Sequence, residues 1–84
     1  MVSLHYFASI REAVGRSSEE LTLPGSVTDV QGLIEYLVAR DPEKLQILAL
    51  DSRVLVAVNQ TVVDRSQGLR GDEEVAFFPP MTGG

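Results

Sequence analysis

Hydrophobic and polar residues alternate at the start of the chain. The two faces of this pattern in residues 2–7 are Val2, Leu4 and Tyr6 on one side, and Ser3, His5 and Phe7 on the other. A period of two residues is typical of a strand with one buried face. The pattern therefore predicts a first strand whose apolar face contributes to a core.

A helical period replaces this alternation farther along the chain. Apolar residues follow the spacing of a single helix face at five positions: Val30, Leu33, Ile34, Leu37 and Val38. Thr28 and Gln31 have the spacing of a capping box at its start. Asp41-Pro42 ends the element, because a residue before proline avoids the helical conformation. One long helix is predicted, with an apolar stripe that packs on a sheet or on another helix.

A shorter helix is predicted directly after the first strand. Ser9 and Glu12 have capping-box spacing, and the helix is predicted to run through Ile10, Ala13 and Val14. Gly15 is a suitable end, because glycine accepts the left-handed conformation that closes many helices.

Four further segments predict strands, over residues 20–23, 54–58, 61–63 and 74–78. Pro24-Gly25 and Asn59-Gln60 mark turns, residues 68–72 form a loop, and residues 45–50 are compatible with a short turn of helix. This order predicts an α+β fold, a mixed sheet packed on one main helix. We expect the first and last strands to lie side by side in the middle of the sheet.

Composition excludes several kinds of chemistry. The 84 residues fit one domain and include no cysteine and a single histidine, His5, so disulfides, thiolate metal sites and multi-histidine metal sites are excluded. A net charge of −5 disfavours nucleic acid and favours a basic protein surface as partner. The sequence has neither a signal-peptide pattern nor an apolar run of membrane-spanning length. We therefore expect a cytoplasmic protein with no membrane partner.

The final residues carry the most specific signal. The last predicted strand runs into Pro79-Pro80, which is stiff and cannot donate to a sheet ladder. Gly83-Gly84 then forms a thin strip of backbone that can enter a narrow slot, with an α-carboxylate open to ATP-dependent activation at its tip. We predict a folded domain over residues 1–78 and a flexible tail over residues 79–84.

Two aromatic residues and one valine form a candidate docking patch. Phe7 and Phe78 fall on the otherwise polar faces of the first and last strands, near the end of the sheet from which the tail departs. Exposed aromatics beside a reactive tail indicate partner docking, and Val62 is expected to join them. His5, Asp29 and Glu35 are expected to be ordinary solvated residues. The run 72–74 is expected to be a solvated turn, with steering of a basic partner as the alternative.

The sequence resembles the small subunits of molybdopterin synthase, the MoaD family of ubiquitin-like β-grasp sulfur carriers. The resemblance covers essentially the full chain and rests on these segments: Phe7-Ala8 with Arg11-Glu12 and Gly15, Val58-Asn59-Gln60, Leu69 before an acidic turn, and residues 74–80 with Thr82-Gly83-Gly84. Met81 stands where the family usually has valine, and Gly71-Asp72-Glu73 replaces its usual Asp-Gly-Asp turn.

The resemblance implies a function for the tail. In the family an activating enzyme uses ATP to adenylate the terminal glycine, here Gly84, and a sulfur donor converts the adenylate to a thiocarboxylate. The tail, here Met81, Thr82 and Gly83, enters the large synthase subunit, and the sulfur passes to cyclic pyranopterin monophosphate. The resemblance also implies a heterotetramer of two large and two small subunits. The chain would be a non-catalytic carrier without an intrinsic cofactor.

Three alternatives remain open on the sequence. The same tail chemistry serves sulfur carriers for thiazole or other products. It also serves protein modifiers, which join the terminal glycine to lysines through isopeptide bonds. A plain β-grasp interaction domain would need no free Gly-Gly end.

Overall fold

Within residues 1–51 and 53–80, which the computed structural model describes, five strands form one sheet. The strands are β1 Val2–Tyr6, β2 Ser18–Leu21, β3 Leu55–Val58, β4 Thr61–Val63 and β5 Glu74–Phe78. The helices are α1 Ala8–Val14, α2 Val30–Arg40, α3 Pro42–Leu45 and α4 Ile47–Leu50. The strand order across the sheet is β2-β1-β5-β3-β4.

The first and last strands pair in parallel at the centre of the sheet, as predicted. Leu4 lies beside Val75 and Tyr6 beside Phe77 in this register. All four side chains are buried. Strands β2 and β3 flank the central pair in antiparallel pairings, so the sheet is mixed.

The apolar stripe of α2 covers the inner face of this sheet. Its four fully buried residues are Val30, Leu33, Ile34 and Leu37, and they share one hydrophobic cluster with the inward side chains of β1 and β5. The arrangement confirms the prediction of a mixed sheet packed on one main helix.

The start of α2 differs from the predicted capping box. The N-cap is Asp29 rather than Thr28, and its carboxylate accepts a hydrogen bond from the Gly32 N–H at 2.7 Å. Asp29 is therefore not an ordinary solvated charge. The first N–H groups of a helix have no partner within the helix. Here the Val30 N–H donates to the Gln67 carbonyl at 3.0 Å, and the Gln31 N–H donates to the Arg65 carbonyl at 2.8 Å.

The start of α1 also differs from the prediction. Phe7 is the N-cap and makes no side-chain capping bond, so Ser9 lies inside the first turn and forms no capping box. The helix ends as predicted at Gly15, which has a φ of +86°. Phe7 has left β1, yet its N–H still donates to the Phe77 carbonyl at 3.2 Å.

Strand β2 begins and ends two residues earlier than the predicted 20–23 segment. Its register with β1 pairs Val2 with Leu21 and His5 with Ser18. Because β1 begins at Val2, residues beyond Leu21 have no partner strand, and Leu23 packs on the core from a loop. Residues 45–50, compatible with a short turn of helix, lie in α3 and α4 except for Gln46, which stands between the two helices.

A polar cluster ties β2 to β1. The Tyr6 hydroxyl donates to the Glu19 carboxylate at 2.9 Å, and Arg16 donates to the same oxygen at 2.7 Å. Burial, and then the bond to Glu19, raise the pKa of Tyr6 far above its ordinary value. The charge of Glu19 is thus compensated within the fold.

Candidate functional site

The candidate site is the outer face of the sheet, at the end where β5 leads into Pro79-Pro80. Phe7 and Phe78 stack here with ring centroids 4.7 Å apart and planes 5° from parallel. Phe77 points the other way and stacks on Tyr6 in the core, at 5.9 Å. The prediction that Phe7 and Phe78 meet at one end of the sheet is confirmed.

The backbone around Phe7 fixes the position of its ring. Phe7 is extended, with φ −121° and ψ 149°, and the next residue, Ala8, has a φ of +51°. This left-handed conformation is uncommon for a residue with a Cβ. It turns the chain sharply from strand to helix, and Phe7 remains 43% exposed at the corner.

A tight hairpin places Val62 on the same face. Asn59 and Gln60, the two residues between β3 and β4, have φ angles of +49° and +70°, as a two-residue hairpin turn requires. The register sets Val62 opposite Ala57, and Val62 is 63% exposed. The predicted turn and the exposure of Val62 are both confirmed.

The hairpin is held to β5 by two hydrogen bonds. The Asn59 N–H donates to the Glu74 carbonyl at 2.8 Å, and the Glu74 N–H donates to the Asn59 side-chain oxygen at 3.0 Å. These bonds hold the turn that precedes Val62 against the start of β5.

Small residues form a floor between the aromatic pair and Val62. Ala57 and Ala76 lie opposite each other on β3 and β5. A groove of about 390 Å³ opens above them, lined by His5, Phe7, Ala57, Gln60, Val62, Glu74, Ala76 and Phe78. Sequence reasoning missed the two alanines, because they become a floor only once the strand register is known.

The acidic run at residues 72–74 is not uniformly solvated, contrary to the prediction. The carboxylate of Glu73 is buried and accepts hydrogen bonds from the N–H groups of Arg70, Gly71 and Asp72 at 2.7, 2.9 and 3.1 Å. Burial by itself raises the pKa of Glu73, but these backbone donors outweigh it and the pKa is lowered. Glu73 shapes the turn before β5, and only its neighbours Asp72 and Glu74 are exposed.

His5 lies on the outer face beside Glu74, with 3.6 Å between Nε2 and the nearer carboxylate oxygen. His5 lies on the sheet surface, as expected, and is partly exposed there. No group of three or more His, Asp or Glu side chains within residues 1–51 and 53–80 is arranged to hold a metal ion.

The predicted tail is only partly within the described residues. Pro79 and Pro80 follow Phe78 and are half-buried. The described residues do not include Met81, Thr82, Gly83 and Gly84. The boundary between domain and tail at residue 78 stays a prediction. In the described part of the chain, each helix is too short to span a bilayer.

Comparison with known proteins identifies the family to which the chain belongs. The ThiS family model matches residues 4–84. The molybdopterin synthase sulfur carrier subunit of Escherichia coli strain K12 is 36% identical over 84 residues, which cover 100% of both chains. The protein of the same name from Mycobacterium tuberculosis is 34% identical over 83 residues, covering 99% of this chain and 96% of the relative.

Solved structures agree on the architecture. A putative molybdopterin converting factor subunit 1 from Pyrococcus furiosus has a TM-score of 0.74 at 30% identity, covering 95% of this chain and 97% of that one. The small archaeal modifier protein SAMP1 of Haloferax volcanii has a TM-score of 0.79 at 22% identity, covering 99% and 98%. The fold is the ubiquitin-like β-grasp, as the resemblance implies.

Proposed function

Because the chain belongs to the ThiS family, we propose that it is the sulfur carrier subunit of a molybdopterin synthase. This subunit acts in molybdenum cofactor biosynthesis. One observation carries the proposal. Relatives that bear this name match the chain from end to end, the Escherichia coli subunit over 100% of both sequences. The chain is therefore a carrier that other proteins load and unload, rather than an enzyme.

The reactive group in this proposal is the α-carboxylate of Gly84. A carboxylate oxygen attacks the α-phosphorus of ATP in the activating enzyme, and pyrophosphate leaves. Hydrosulfide supplied by the donor then attacks the acyl carbon, and AMP leaves, so the chain ends in a thiocarboxylate. Two such sulfur atoms, delivered by two carriers to cyclic pyranopterin monophosphate, make the dithiolene of molybdopterin. Each transfer returns the tail to the carboxylate, with water supplying the oxygen.

The tail and the domain have separate tasks. Gly83 gives the tail clearance in a narrow slot because it has no Cβ, and Met81 and Thr82 link it to Pro80. The large synthase subunit supplies orientation and stabilises developing charge. The domain over residues 1–78 fixes the direction in which the tail over residues 79–84 is presented. ATP and the sulfur donor belong to the activating enzyme, so no resident cofactor is needed.

The outer face supports docking beside the tail. Phe7 and Val62 are 43% and 63% exposed, and Phe78 stacks on Phe7 at the point where the chain leaves the sheet. Aromatic residues are enriched in protein–protein interfaces. We assign this patch to the large subunit and to the activating enzyme, with a heterotetramer as the proposed assembly and the cytoplasm as its compartment.

A reconstitution tests this function. The chain is incubated with its activating enzyme, ATP and a sulfide source, and then with the large subunit and cyclic pyranopterin monophosphate. Molybdopterin as the product supports the proposal. A thiocarboxylate that yields no molybdopterin but supports thiazole synthesis would assign the chain to the other pathway.

The intact mass of the protein isolated from cells separates carrier from modifier. The exchange of one oxygen for sulfur is the expected change. A ladder of larger isopeptide-linked species would instead identify a protein modifier.

A further inference from the structure

The outer face of the sheet has two chemically different ends. At the tail end, Phe78 and Leu55 face each other across β5 and β3, and Phe7 stacks beside them. At the far end, Ser3 of β1 lies between Glu20 of β2 and Glu74 of β5. One end is therefore aromatic and the other is acidic.

The two ends belong to one continuous surface. The apolar groove of about 390 Å³ reaches His5 and Glu74 at its far side. A second depression of about 300 Å³ starts at the same two residues and extends over Ser3, Ser18 and Glu20. A partner seated on the aromatic end therefore meets Glu74 along the same strand.

The carboxylates at the far end are available to a partner. Glu20 and Glu74 are exposed. Among the described residues Glu20 forms no ion pair, and the neighbour of Glu74 is His5 at 3.6 Å. By contrast Glu19, the other acidic residue of the depression, is held by Arg16 at 2.6 Å and by Tyr6. The chain as a whole carries a net charge of −5, so the far end favours a cation.

We propose that this face binds a strip of the large synthase subunit. The strip carries an apolar side chain that packs on the Ala57–Ala76 floor and a Lys or Arg that pairs with Glu74 and Glu20. The inference rests on the proposed function and adds the chemistry of the partner surface to it. Ala76 of the floor and Glu74 are two positions apart on β5, so the two partner groups lie about 7 Å apart at about 3.3 Å per strand residue.

The acidic end gives the docking a direction. An apolar patch alone tolerates more than one orientation, whereas opposite charges at one end fix the register of two surfaces. A partner docked in the reversed orientation would place its basic residue on Phe7 and Phe78 and leave Glu74 facing an apolar group. The tail that follows Pro80 would then point away from the slot that receives it. Glu74 and Glu20 thus act as positioning residues for sulfur transfer.

Charge reversal with a matched control tests the proposal. Affinity for the large subunit is measured for the wild-type chain, Glu74→Lys, Glu20→Lys and Glu43→Lys at low and high salt. Glu43 is exposed on α3, away from the sheet, and its reversal changes the net charge equally. We expect Glu74→Lys to weaken binding about tenfold or more at low salt, mainly through the association rate, with less loss at high salt. Glu43→Lys should change the affinity by less than about twofold.

The outcomes separate this inference from the proposed function. Equal effects of Glu74→Lys and Glu43→Lys would overturn the inference while wild-type binding still supports the carrier role. Absence of wild-type binding would overturn both. Self-association of the isolated chain that Glu74→Lys abolishes would assign the face to a second copy and would also overturn the inference. Recovery of Glu74→Lys binding by a Lys→Glu or Arg→Glu change in the large subunit would identify the basic partner residue.

Discussion

Phe7 and Phe78 stack in parallel with their ring centroids 4.7 Å apart, although they come from opposite ends of the chain. Phe7 stands where β1 turns into α1, and Phe78 is the last residue of β5 before Pro79. The contact therefore joins the end of β5 to the corner between β1 and α1, beside the central parallel pair of strands. Both rings border the groove that we assign to partner docking.

Phe78→Ala is expected to impair binding more than folding. Truncation of an interface aromatic typically costs about 2 kcal/mol or more of binding free energy, while the loss of one aromatic stack costs about 0.5–1.5 kcal/mol of stability. Phe77→Ala is the matched control, because Phe77 is fully buried and its truncation should cost about 3–5 kcal/mol of unfolding free energy. Titration against the large subunit and chemical denaturation measure the two effects. Normal binding by Phe78→Ala with a greatly lowered melting temperature would contradict the docking role.

Leu33→Ala tests the packing of α2 on the sheet. Leu33 is fully buried, and its truncation should lower the free energy of unfolding by about 2–5 kcal/mol. Leu50→Ala serves as the control, since Leu50 is 72% exposed and surface changes usually stay within about 0.5 kcal/mol. Chemical denaturation compares the two variants, and equal losses would contradict the described core.

Ala8→Gly is expected to stabilise the domain. Ala8 has a φ of +51°, a conformation that costs a residue with a Cβ about 1–2 kcal/mol. Glycine removes this strain but loses more entropy on folding, so we expect a net gain of up to about 1 kcal/mol in unfolding free energy. Ala13→Gly, at an exposed position inside α1, should instead lose about 1 kcal/mol. Similar losses in both variants would show that Ala8 is not strained.

Glu73 should make the stability depend on pH in the acidic range. Its folded-state pKa is lowered, so the unfolded chain binds the proton more tightly than the folded one. The stabilisation is present above the unfolded pKa of about 4.3 and is lost as the pH falls through the lowered folded value. Denaturation at pH 7 and below pH 4 should show a larger loss for the wild type than for Glu73→Gln. Glu12→Gln, an exposed change on α1, controls for the loss of a carboxylate in general.

The strands and the long helix follow from local pattern. The alternation in residues 2–7 and the stripe from Val30 to Val38 predict β1 and α2, and Asn59-Gln60 predicts the hairpin, because each signal lies within a few residues of the element it specifies. The predicted N-cap of α2, Thr28, is wrong because Thr28 and Asp29 both have side chains suited to capping, and the structure uses Asp29. The choice between them depends on how the loop at residues 65–67 satisfies the first N–H groups of the helix.

Features that depend on distant partners could not be predicted. The limits of β2 depend on where β1 begins, and the floor made by Ala57 and Ala76 depends on the register of β3 with β5. Glu73 is a local exception: three backbone N–H groups of its own turn converge on its carboxylate, a geometry that the residue types of the turn do not specify. In the candidate site, alternation predicted that Phe7 and Phe78 share a face, while the groove between them and Val62 required the folded sheet.

The central claim is that Gly84 carries the sulfur, and the intact mass of a Gly84-deleted chain tests it most directly. Deletion retracts the carboxylate by about 3.3–3.6 Å, and an error of about 1 Å can already cost 100-fold in rate. The wild-type and deleted chains are incubated with the activating enzyme, ATP and sulfide, and each is weighed by mass spectrometry. The account predicts a thiocarboxylate on the wild type, none on the deleted chain, and equal melting temperatures. Thiocarboxylate at wild-type levels on the deleted chain would contradict it.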